Sequence, residues 1–225
     1  MVFFGHSRGQ LQKELFDLLS NATAQDDFQE KCESIDRDVI ISARDSRYGY
    51  EGYTILHYAC HVGNFSAVTY LLQIGHDLDP VDCSASLVTP LMVAISLNRL
   101  DISCAIVEAG GNLFKQDIRM ENAMHYAARV SSIMVKQILS SSKLEKDKIQ
   151  ALVSTPNIKN CFPEDVAKTE LIQEVLENYR NFGVHIRKKK EYHASKKVEI
   201  TAVVPEYNFI FATDSDDNAD SKFSI

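Results

Sequence analysis

Three side chains near the first quarter of the sequence could do chemistry together. His57, Cys60 and His61 fall within one helical turn, and a His-x-x-x-His spacing places two imidazoles on one face where zinc could bind. No carboxylate follows the pair, as a hydrolytic zinc site would require. The five cysteines, Cys32, Cys60, Cys83, Cys104 and Cys161, are odd in number and form no C-x-x-C pair, which reads as a reduced, intracellular chain. Cys60, Cys104 and Cys161 stand at apolar positions, where a thiol is normally inert. There is no G-x-S-x-G and no phosphate-cradling glycine loop among the nine glycines. The expectation is a non-enzyme without metal, cofactor or small-molecule substrate.

A basic run, Arg187-Lys188-Lys189-Lys190 with Lys196-Lys197, invites a nuclear-localisation or nucleic-acid reading. A solvated helix end or linker explains it as well. Residues 181–225 hold seven basic and seven acidic side chains, so the whole net charge of -7 lies on residues 1–180. That acidic body would repel phosphates and disfavours nucleic acid as the main partner. No run of about eighteen apolar residues is present, so no membrane span is expected, and Met1 to Gln10 is too short in apolar length for a signal peptide. The expected location is cytoplasmic, with the nucleus as the alternative.

The elements that must position these residues are set by a repeated phrase. Thr54-Ile55-Leu56-His57-Tyr58-Ala59 returns 35 residues later as Thr89-Pro90-Leu91-Met92-Val93-Ala94, and 33 residues after that as Asn122-Ala123-Met124-His125-Tyr126-Ala127. Each opening is followed by an apolar stretch: Tyr70-Leu71-Leu72, Ile106-Val107 and Ile138-Leu139. Gly63-Asn64 and Asn98-Arg99 supply turns between two helices, since glycine and asparagine tolerate the left-handed conformation. Ser131 stands there in the third copy, where Lys143 also replaces a later glycine, and the turn is therefore expected to differ. A fourth, weaker copy reads Phe162-Pro163-Glu164-Asp165-Val166-Ala167, displaced by a polar insertion over Ser140 to Lys148.

Period and wording resemble the ankyrin-repeat family, a turn plus two helices opening with T-P-L-H-x-A. The resemblance implies an all-α solenoid of helix pairs with β-hairpin-like fingers, about four to five repeats counting a divergent N-terminal cap. It also gives His57 and His125 a competing role, hydrogen bonding between neighbouring repeats, which weighs against zinc. The division expected is 1–45 capping helices, 46–180 repeats, 181–197 basic linker or helix end, and 198–225 strand-like then acidic tail. In the cap, Leu11, Leu15, Leu18 and Leu19 fall at helical spacing, then Phe28, Cys32 and Ile35. Leu171, Ile172, Val175 and Leu176 form a stripe able to close the stack.

In such proteins the ligand usually meets the finger tips and the solvent side of each first helix. Transferred by offset, the helix positions are His61 and Val62, Ser96 and Leu97, Arg129 and Val130. The finger positions are Tyr48, Tyr50, Glu51 and Tyr53, then Ala85, Ser86 and Val88, then Ile118, Arg119 and Glu121. Leu87 and Met120 occupy the place of the turn glycine, which predicts differently bent hairpins. Three tyrosines on one exposed finger offer contact area at low entropic cost, the alternative being that one or two of them pack against the capping helices. Val62, Leu97 and Val130 would line an apolar groove favouring a peptide helix or strand over a polyanion. The function expected is a protein-interaction module or adaptor presenting a concave surface. The alternatives are a regulatory or targeting subunit of an enzyme assembly and a nuclear inhibitor covering a basic, transcription-related target.

Overall fold

The computed structural model describes residues 7–20, 25–47, 50, 52–82, 86–141 and 144–181. Apolar spacing builds ten helices here: α1 (Arg8–Ser20), α2 (Gln25–Glu33), α3 (Arg37–Ile41), α4 (Ile55–Val62), α5 (Phe65–Gln73), α6 (Pro90–Ser96), α7 (Leu100–Ala109), α8 (Ala123–Val130), α9 (Ser132–Leu139) and α10 (Lys146–Val153). A 3-10 turn, Pro163–Val166, and helical turns over 170–181 follow. Among the described residues there is no strand, only one antiparallel bridge between Arg44 and Thr54. The expected all-α helix-pair repeat is what the chain forms.

Two layers stack side by side. α1, α4, α6, α8 and the 3-10 turn pack in succession as the inner layer, and α2, α5, α7 and α9 as the outer one. Helices α4, α6 and α8 are buried almost all round: Leu56, Ala59, Leu91, Ala94, Met124 and Ala127 are fully covered, the alanines letting neighbouring helices approach. The cap contributes Leu15, Leu19, Phe28 and Cys32 to the same core.

The repeated phrase is a start signal. Thr54, Thr89 and Asn122 are N-caps whose side chains accept from backbone N–H groups two or three residues on, and Pro90 fills the first helical position of α6. At the other end, Gly63 takes a left-handed φ of 81°, and Asn98 one of 54°. Ser131 solves the joint differently. It is extended, with φ -161°, and caps α9 through its hydroxyl, so α9 starts one residue early. Ile138 is thereby buried one position sooner than Leu71 and Ile106 in their repeats.

Two expectations are corrected and one is refined. Lys146–Val153, which begins inside the polar insertion, forms the extra helix α10, with Ile149, Leu152 and Val153 buried. The fourth copy makes only a 3-10 turn in place of a full inner helix. Leu87 and Met120 do not escape the glycine conformation but adopt it, at φ 55° and 58°. Lys143 and everything from 182 on, including the basic run and the strand-like tail, lie outside the described residues.

Candidate functional site

Four fingers project between successive helix pairs, and three of them share one turn chemistry. An Asp or Asn opens the finger and accepts, through Oδ1, the N–H of the residue two places on: Asp45 from Arg47 (2.9 Å), Asp117 from Arg119 (2.8 Å) and Asn157 from Lys159 (2.9 Å). The opener is buried and the basic residue stays partly or fully exposed. Asp82 closes the second finger by accepting from Val88 N–H at 3.0 Å. Neighbouring fingers are also tied, Ile118 N–H to Ser86 carbonyl at 3.0 Å and Ile158 N–H to Arg119 carbonyl at 2.9 Å. Ile118, Met120 and Ile158 are about half exposed or more, at 56%, 47% and 66%, and Leu87 is exposed beside them. The fingers therefore carry a contiguous apolar row held in place by their own backbone.

The inner helices end on the same side. His61 and Val62 in the last turn of α4, Ser96 and Leu97 at the end of α6, and Arg129 and Val130 in the last turn of α8 occupy equivalent places in adjacent helices. Ser96 and Leu97 are exposed, and the other four are half-buried. Arg99 spans two repeats there, its guanidinium donating to the Val62 carbonyl at 3.4 Å.

Tyr48 and Glu51 lie outside the described residues. Tyr50 and Tyr53 are half-buried rather than free at a tip. Tyr50 meets Tyr58, Tyr53 and His61 edge-on, with ring centroids at 5.4, 5.8 and 5.1 Å, and its hydroxyl lies 3.3 Å from His61 Nε2. Tyr53 stacks on His57 at 5.0 Å. The Arg47 guanidinium sits 4.5 Å from the Tyr58 ring centre while Asp45 holds it from the other side.

A matching cluster surrounds the third finger. Arg119 bridges Asp117 (3.1 Å) and Glu121 (3.0 Å), and Tyr126 donates its hydroxyl proton to Asp117 at 2.8 Å. Arg129 grips Glu121 with both terminal nitrogens, and Asn157 of the next finger donates to the same carboxylate at 3.1 Å. Burial pushes the Glu121 carboxyl up, but Arg129, Asn157 and Arg119 together hold it below the ordinary range. Glu121, expected at a contact position, is only 2% exposed and belongs to the scaffold.

Both motif histidines are fully buried bridges. His57 Nδ1 accepts from Thr54 N–H (3.2 Å), and Nε2–H donates to the Val88 carbonyl of the next finger (3.0 Å). Burial pushes the imidazole down to about 4, against the bond to Val88. His125 pairs in the same way with Asn122 N–H (3.3 Å) and the Cys161 carbonyl (3.2 Å). With both ring nitrogens engaged, His57 has none left to share a cation with His61. No cluster of metal-ligating groups occurs among the described residues. Burial raises the thiol of Cys32 to about 12 and drives Cys60 higher still, which removes their nucleophilic form.

The ankyrin-repeat signature, in three copies, matches residues 19–117. Residues 19–117 carry ankyrin repeats. A Mus musculus protein, B-cell lymphoma 3 protein homolog, is similar to it, 28% identical over 130 residues. The match covers 56% of this chain and 27% of that protein, so the chain spans about a quarter of the relative's length. The same geometry recurs past residue 117, in α8, its bridging His125 and the fourth finger. No helix of the described residues is long and apolar enough to cross a membrane.

Sequence offsets missed the fourth finger, because the degenerate Phe162-Pro163-Glu164-Asp165 motif hides the turn before it. The D-x-R of Asp45 and Asp117, repeated as N-x-K at Asn157, is the signal that would have found it.

Proposed function

We propose that this chain is a protein-interaction module or adaptor whose contact surface is the finger row together with the last turns of the inner helices. One observation carries the reading. Leu87, Ile118, Met120 and Ile158 remain exposed on a scaffold whose described finger carboxylates, Asp45, Asp82, Asp117 and Glu121, are tied by hydrogen bonds or ion pairs. Exposed aliphatic side chains on a preordered backbone lose little conformational entropy on binding, so few contacts are needed for useful affinity. Ankyrin repeats serve generally as protein-interaction modules. Arg119, Leu97, Ser96, Val62, Val130 and the half-buried tyrosines flank this row and would widen the contact, as would Tyr48 and Glu51. A non-catalytic role agrees with buried, protonated thiols and fully bonded histidines.

The test is affinity capture by the immobilised full chain against two variants. Ile118→Ser with Ile158→Ser alters the finger row, and Ile133→Ser alters an equally exposed site on α9 of the outer layer. Loss of captured protein with the finger variant alone is the expected result. Equal capture by both variants, or loss with Ile133→Ser alone, would place the contact elsewhere.

A further inference from the structure

The chain has a net charge of -7, which taken alone points to basic partners. The finger side sorts its charges by depth. Its described carboxylates, Asp45, Asp82, Asp117 and Glu121, are at most 5% exposed and are spent on backbone N–H groups and arginines. Helices α4, α6 and α8 contain no Asp or Glu at all. The accessible charged groups of these fingers are bases: Arg47 with 39% of its side chain exposed and Arg119 with 54%, each paired from beneath with a buried acid, and the exposed Lys159 on the last finger. Exposed acids lie mainly in the outer and terminal elements, such as Asp101 and Glu108 on α7, Asp147 on α10, and Glu170 and Glu174 over 170–181, with Asp77 ahead of the second finger and Asp165 in the 3-10 turn. The recurring Asx turn contributes to the sorting. It buries an acid or amide at the first position and places a more accessible base two residues later, in three fingers of four.

Resting on the interaction reading above, we propose that the finger row takes a partner polypeptide segment of mixed acidic and apolar character. Its carboxylates meet Arg119 and Lys159, and its aliphatic or aromatic side chains cover Ile118, Met120 and Ile158. Charge complementarity selects the acidic partner, and the apolar row selects a polypeptide over a plain polyanion, which would leave those four-carbon side chains unburied. Lys159 and Ile158 are the sharpest probes, since both are exposed and their side chains support no bond of the scaffold described above.

The experiment selects binders to the full chain from a displayed random 16-residue peptide library. Selected peptides are then titrated against the wild type, Lys159→Glu and Ile158→Ser at low and high salt. A fluorescent 16-nucleotide single-stranded DNA is run beside them. The proposal expects selected peptides rich in Asp or Glu interspersed with apolar residues, weakened about tenfold or more by each substitution, and no comparable binding of DNA. Basic peptides that still depend on Ile158 would overturn the charge assignment and leave the contact surface standing. Peptides indifferent to both substitutions would overturn both readings. DNA binding as tight as peptide binding, abolished by Lys159→Glu and unchanged by Ile158→Ser, would show a polyanion site instead. A dimer in sedimentation that Ile158→Ser dissociates would put a second copy on the row and sink the proposal as well.

Discussion

Replacing His57 by Met should make the protein less stable at neutral pH and yet less sensitive to acid. Met92 already occupies the equivalent place in the second repeat, so the substitution fits the fold. At pH 7.5 it removes the bonds to Thr54 N–H and the Val88 carbonyl and leaves those groups unpaired, a loss of about 2 kcal/mol. The wild type carries its own penalty in acid. The folded imidazole titrates near 4 against 6.5 when unfolded, so the unfolded state binds more protons throughout that window. Stability from the buried neutral ring is complete above 6.5 and is lost as pH falls toward 4. The total loss is roughly 3 kcal/mol at ~1.4 kcal/mol per unit, with about 2 kcal/mol gone by pH 5. Urea denaturation of both proteins from pH 7.5 to 4.5 should show a wild-type advantage of about 2 kcal/mol that closes near pH 5. Every other titrating group is common to both and cancels in the difference. Parallel stability curves across that range would refute the argument that His57 is a buried, neutral inter-repeat bridge.

Other substitutions probe the turns and ion pairs. Met120→Gly relieves a left-handed strain of about 1–2 kcal/mol at a backbone cost of ~0.5–1 kcal/mol, so the denaturation midpoint should rise by a net of about 0.5–1 kcal/mol with unchanged slope. Glu121→Ala removes the anchor of Arg119, Arg129 and Asn157 and should cost about 2–3 kcal/mol in the same assay. Arg180 lies 2.7 Å from the buried Glu164 as an ion pair without hydrogen-bond alignment, and burial pushes that carboxyl up. Arg180→Ala should therefore destabilise at pH 7 by about 2 kcal/mol, with the deficit shrinking in acid as Glu164 protonates and restored by a second change, Glu164→Gln. Tyr50→Ala loses three edge-on partners and should lower stability by about 2 kcal/mol. An unchanged melting curve for that variant would place the ring at the surface.

Residues governed by local rules were legible in the sequence. Thr54, Thr89 and Asn122 announced helix starts, and Gly63 and Asn98 announced left-handed ends, because caps and turns depend on the chain within a few residues. The bridging role of His57 followed from the ankyrin wording. What failed depended on distant contacts. Leu87 and Met120 accept the glycine conformation because finger-to-finger bonds outweigh their strain. The polar first turn of α10 hid a helix whose apolar face appears only at Ile149, Leu152 and Val153. Whether Tyr50 and Tyr53 were contact or packing residues stayed open because nothing in the finger reveals that His57, Tyr58 and His61 of α4 stand close enough to receive them. Sorting of charge between the fingers and the outer elements was invisible in the net value, since composition does not say which carboxylates are buried.

Amide hydrogen exchange of the full chain, free and bound to a captured partner, tests the central claim most directly. The finger segments 86–88, 117–121 and 157–161 and the last turns of α4, α6 and α8 should slow on binding, while α5, α7 and α9 stay unchanged. Protection on α5, α7 and α9 with the fingers unaffected would contradict the account.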